Sequence, residues 1–102
     1  MVWYNYVACF FAGAFLTNSI PHFVHGVSGD KFPTPFANPP GKGLSSPFIN
    51  VLWGLFNLLT GSFLVWYGKV SVFHSWSILL LFSGISIMSI GMSFSASKKD
   101  KE

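Results

Sequence analysis

Two histidines three residues apart, His22 and His25, follow Pro21 at the end of a long apolar run, and Asp30 comes five residues later. Imidazole has an ordinary pKa near neutrality, so such a pair can relay protons or ligate a metal. If a helix continues through Pro21, ~100° per residue places both histidines on the face that carries Ala8, Ala12 and Ser19. Asn50 stands one turn inside the next apolar segment, which opens at Pro47, and Asn57 lies two turns deeper. A carboxamide both donates and accepts hydrogen bonds. His22, His25, Asn50, Asn57 and Asp30 therefore form a candidate ligand-binding or proton-relay cluster. The plainer alternative is that the histidines fasten a loop by bonding its carbonyls, and the sequence leaves both open.

Other chemistry has little support. A metal centre wants three or four ligands, and two histidines with Asp30 fall short, so no metal or other cofactor is expected. The lone Cys9 cannot form an internal disulfide. Paired carboxylates are missing, and no Ser-His-Asp set can meet at one level, which argues against an enzyme. Gly41-Lys42 resembles part of a phosphate loop, but Phe36 and Gly43 occupy the places where Gly and Ser or Thr are needed. The lysines are too scattered for a nucleic-acid surface.

The elements that must position these residues are apolar. Half of the chain is hydrophobic and 9% is charged, against ~25% charged in soluble domains. Its 102 residues suit a single domain. Three segments carry no charge: 2–20 (or 2–26 if the helix passes Pro21), 47–67 and 72–94. At ~1.5 Å per residue they reach roughly 28, 31 and 34 Å, against a hydrocarbon core of about 30 Å. The expected fold is an all-α membrane protein of three transmembrane helices. A long Pro/Gly-rich loop, 27–46, joins the first two helices, and a tail, 95–102, ends the chain. The second connection, 68–71, is so short that helices two and three are expected to pair as an antiparallel hairpin.

Charge sets the threading. Lys31, Lys42, Lys98, Lys99 and Lys101 fall on the side of the loop and tail, whereas the other side has only Lys69 and the terminal amine. The positive-inside rule puts the loop and C-terminus in the cytoplasm and the N-terminus outside, in a cell or inner membrane. Trp3, Tyr4, Tyr6, Trp66, Tyr67 and Trp76 gather at the N-terminal level, as an interfacial belt would. Ala12-Gly13-Ala14 resembles a signal-peptide cleavage site, but the basic n-region is missing and the apolar run continues.

Small residues mark the packing faces, because close approach drives helix association in lipid. Helix two carries Asn50, Gly54, Asn57, Gly61 and Gly68 on one stripe. Helix three carries Ser77, Gly84, Met88, Gly91 and Ser95, with Ser75, Ser86 and Ser93 opposite. Those serines either bond to their own helix or meet a second protomer. Phe32, Phe36, Leu44 and Phe48 punctuate the loop, so it is expected to be ordered, with Phe32 and Phe36 buried against the bundle or at the lipid interface.

Two functional readings follow. One is a small non-enzymatic interaction or accessory protein with a structured cytoplasmic loop. The other is a minimal oligomeric transport or ligand-binding unit built on the His/Asn cluster. The expected partners are the lipid bilayer and either further copies of the chain or a larger membrane protein, with no nucleic acid.

Overall fold

The computed structural model describes residues 1–99 and is all-helical: α1 is Trp3–Val27, α2 is Pro47–Tyr67 and α3 is Ser75–Ser97. Each helix is long and apolar enough to cross a membrane. The last three residues of the expected tail, Asp100, Lys101 and Glu102, lie outside the described residues.

Local chemistry explains the boundaries. Pro21 lies inside α1 without ending it, so the longer of the two expected first spans is the observed one. At the start of α1, Val2 N donates to Asn5 Oδ1 at 2.9 Å. Ser46 caps α2 by accepting from Ile49 N at 3.2 Å, and Pro47 takes the first helical position, where a missing N–H costs nothing. The third helix is displaced from the expected 72–94. The reason is a serine latch: Ser77 Oγ reaches the Ser71 and His74 carbonyls and accepts from Ser71 N. That network commits residues 71–74 to a turn and leaves Val72 and Phe73 outside the helix. At the far end nothing breaks α3 before Ser97.

The expected α2–α3 hairpin is corrected by the packing. Although only a short turn joins them, α2 and α3 do not pack on each other; α1 lies between them and packs on both. Glycines set both seams. On one side, Gly54 approaches the backbone of Phe23, Gly61 approaches Leu16 and Gly68 approaches Cys9. On the other, a Cβ at Gly13 would collide with the Leu81 carbonyl, and one at Gly84 with the Phe10 carbonyl. The helix-two stripe is the buried face of α2, with Asn50, Gly54, Asn57 and Gly61 all buried. The helix-three stripe is only half right. Ser77 and Gly84 are buried, but Gly91 and Ser95 are exposed, and a Cβ at Gly91 would meet nothing within 4 Å. Above Gly84 the two helices part.

Polar ties fix the ends. Asn5 Nδ2 donates to the Tyr67 carbonyl at 2.9 Å, and the Cys9 thiol donates to the Gly68 carbonyl at 3.1 Å. The start of α1 thus meets the end of α2. The loop and the end of α3 share the opposite end, where Lys99 Nζ sits 4.8 Å from the centre of the Phe32 ring. Ser83, Ser86, Ser89, Ser93 and Ser97 each donate to a carbonyl one turn back on α3, which satisfies them within their own helix.

Candidate functional site

The loop folds back over α1 and α2. Phe32 and Ser45 form a two-residue antiparallel pair: Phe32 N donates to the Ser45 carbonyl at 3.3 Å, and Ser45 N to that of Phe32 at 3.0 Å. Inside this closure sits Thr34, 1% exposed. Its hydroxyl meets Ser45 Oγ at 2.6 Å and accepts from Phe36 N, while its carbonyl accepts from Ala37 N and Gly41 N. Gly41 has φ +74°, a conformation that favours glycine, and it lets the chain turn back under the Asn38–Pro39 cis peptide. The long loop is thus ordered by its own hydrogen bonds.

Asn50 locks that loop to the helices. Fully buried, its Nδ2 donates to the carbonyls of Phe32, Ser45 and Ser46 at 3.0, 3.2 and 3.1 Å. Those three acceptors fix the orientation of the amide, so Oδ1 faces His22 Nδ1 at 2.8 Å. A carboxamide oxygen only accepts, so the proton of this bond sits on Nδ1. In the neutral ring, Nε2 is then the lone-pair nitrogen. His22 is buried, and its ring lies edge-on to Phe32 and Trp53.

The other candidates divide. His25 is half-buried and stacks on Phe32, with ring centres 4.4 Å apart, and makes no bond to Asn50. Asp30 is exposed and, among the described residues, joins no metal-ligand cluster with the histidines; its backbone N–H closes the end of α1 on the His25 carbonyl. The carboxylate is carried out of reach because the chain turns at Ser28 and Gly29 before it enters the loop. Asn57 is buried deeper, where Nδ2 donates to the Trp53 carbonyl at 2.8 Å and Oδ1 accepts from Asn18 Nδ2 at 3.1 Å. Among the described residues no three His, Cys, Asp or Glu side chains converge as metal ligands. Phe32 is buried against the bundle, the first of the two expected placements; Phe36 is 68% exposed and touches Trp53 edge-on.

Sequence reasoning missed Asn18, Thr34, Ser45 and Trp53. Asn18 was within reach of helical arithmetic, since it lies four residues before His22 and so shares its face. The loop residues carry no periodic signal.

Beside the clasp is a cleft of about 220 Å³ between α1, the loop and the end of α3. Asn18, His22 and Thr34 contribute its polar wall, and Phe32, Trp53 and Met92 its apolar one. Trp53 Nε1 is buried without a hydrogen-bond partner among the described residues. Compared with known families, curated proteins and solved structures, the chain matches none. Its chemistry must therefore be read from the site itself. The clasp can hold the loop rigidly, and the cleft can accept a small group through His22 and Asn18.

Proposed function

We propose that this chain is a small integral membrane protein whose loop, residues 28–46, forms a rigid cytoplasmic cap, and that it serves as a non-enzymatic interaction or accessory protein. Three helices long and apolar enough to span support the membrane reading. The lysine asymmetry supports the orientation, as do the exposed rings of Trp3, Trp66 and Trp76 at the end opposite Lys99. The observation that carries the functional reading is the Asn50 amide, which ties one histidine of α1 to three carbonyls at the two ends of the cap. A segment held so firmly presents a fixed shape to a partner and loses little entropy on binding. Phe36 and Phe48 stand exposed on or next to it. The partner is a larger membrane protein or a further copy of the chain, within the bilayer. Photo-crosslinking from position 36, compared with Leu59 on the exposed side of α2, tests this. One discrete adduct, formed from position 36 and lost when Asn50→Ala loosens the cap, is expected. Equal adducts from both positions would mean lipid-like, unspecific contact and would overturn the reading.

A second reading, a ligand-binding unit, is favoured by one specific observation: His22 lines the cleft as well as closing the loop.

A further inference from the structure

Where α3 leaves α1 above Gly84, a groove of about 390 Å³ opens between Phe10, Phe11 and Ala14 on one side and Ile87, Met88 and Gly91 on the other. It shares Met92 and Ser95 with the cleft under the loop, so the two are adjoining stretches of one path. The lower stretch is apolar. The upper stretch is walled by rings, those of His22, Phe32, Trp53, Pro33 and Pro35.

Polar atoms without partners gather at the upper stretch. His22 is only 5% exposed, yet with Nδ1 committed to Asn50, Nε2 has no partner among the described residues. Asn57 Nδ2 is committed to the Trp53 carbonyl, so Asn57 Oδ1 must accept and Asn18 Nδ2 must donate. Asn18 Oδ1 is left open. Ser95 is the one α3 serine between Ser83 and Ser97 that does not bond back to its own helix, and it is the one that lines the cleft. Trp53, whose ring also lines the cleft, keeps its Nε1 fully buried and without a partner among the described residues. Two acceptors, on His22 and Asn18, and the Ser95 hydroxyl thus belong to residues that line a ring-walled space continuing into an apolar groove. A hydroxyl is the group that both donates and accepts. A flat ring suits the aromatic and proline walls.

We propose that this path binds an isoprenoid quinol, with the hydroxylated ring under the loop beside His22 and Asn18 and the tail along the α1–α3 groove. The reduced form is the better ligand, because a quinone can only accept and leaves His22 Nε2 and Asn18 Oδ1 unmatched. The proposal concerns binding alone and rests on the membrane reading above. Cysteine labelling tests that reading without any quinol, so the two fail separately.

The test uses the full chain in phosphatidylcholine nanodiscs, with Trp3, Trp66 and Trp76 replaced by Phe so that Trp53 alone reports. Decylubiquinol should quench its emission saturably, and the midpoint for decylubiquinone should be about tenfold higher or more. Gly91→Leu enters open space and leaves the clasp alone; it should raise the quinol midpoint about tenfold by filling the tail groove. An unchanged circular dichroism spectrum and unchanged protection of the loop from trypsin would show that this variant is folded. Ser95→Val, a second variant remote from the clasp, removes a donor that both forms can use and should raise the midpoints of quinol and quinone alike; unchanged midpoints for both would overturn the place given to the ring. Equal midpoints in the parent and Gly91→Leu would mean simple partition into lipid and overturn the proposal. So would displacement of the quinol by monooleoylglycerol at equal concentration, since that amphiphile has hydroxyls and a tail but no ring.

Discussion

Replacing Asn50 with Ala perturbs one side chain that serves four partners, and the structure says which of them suffer. The carbonyls of Phe32 and Ser45 keep their bonds from Ser45 N and Phe32 N, and the Ser46 carbonyl keeps that from Asn50 N. All three acceptors therefore remain satisfied once. His22 Nδ1 does not, because Asn50 Oδ1 is its hydrogen-bond partner. One buried donor left open costs ~1–3 kcal/mol, and the second bonds lost at the carbonyls add a fraction of that. His22→Ala leaves Asn50 Oδ1 open instead and should fall in the same range of ~1–3 kcal/mol. The double variant should cost less than the sum, because the same bond is broken only once. Asn50→Asp should be worse than Asn50→Ala: it keeps the acceptor toward His22 but turns an oxygen toward three carbonyl oxygens. The assay is reversible unfolding in mixed micelles, paired with trypsin cleavage after Lys42 as a readout of the loop. A change below ~0.5 kcal/mol for Asn50→Ala, with loop cleavage unaltered, would refute the clasp.

Further outcomes follow from other contacts. Thr34→Val keeps the shape but removes the hydroxyl shared by Ser45 and Phe36 N; a loss of ~1–2 kcal/mol is expected, with faster amide exchange at Phe36. Gly84→Ala should destabilise the α1–α3 seam by ~1–3 kcal/mol, because the Cβ meets the Phe10 carbonyl. Gly91→Ala, into open space, should be neutral or stabilising by up to ~1 kcal/mol, since Ala is the better helix former; equal effects at the two glycines would contradict the splayed geometry. In a Cys9→Ala background, cysteines at Asn38 and Ser97 should label from the cytoplasm and one at Ser71 from outside. Labelling of positions 38 and 71 from the same side would sink the three-span threading.

Much of the helical framework is legible in the sequence, because lipid-length apolar runs have few alternatives. The α2 stripe is legible too, since Asn50, Gly54, Asn57 and Gly61 obey helical spacing and all turn out buried. Spacing failed where a second element decides. Nothing in the run from Gly84 to Ser95 says that α3 diverges from its neighbour, and a stripe that should be a seam becomes a groove. The start of α3 was misplaced for a related reason. Val72 and Phe73 are apolar enough to be helix, but Ser77 reaches back and holds the turn around them.

The central place of α1 has its own physical cause. A short connection brings the adjoining ends of two helices together, yet it does not compel their lengths to pack. In lipid, the setting proposed for these helices, no hydrophobic effect between them enforces contact, so the pair with the closest backbone approach and the best polar ties wins. α1 offers α2 Asn5, Cys9, Asn18 and His22 as bonding partners. To α3 it offers Gly13, against which the Leu81 carbonyl packs. α2 turns its glycines and both buried asparagines toward α1, and its remaining faces are mostly Leu, Phe, Val and Trp, as suited to lipid as to another helix. The same asymmetry shapes the candidate site. Because α3 is held to α1 by small residues near its middle and start, and among the described residues by no polar tie above them, its upper end stands off. That leaves room beside His22, which lines the cleft while Asn50 holds its Nδ1 edge.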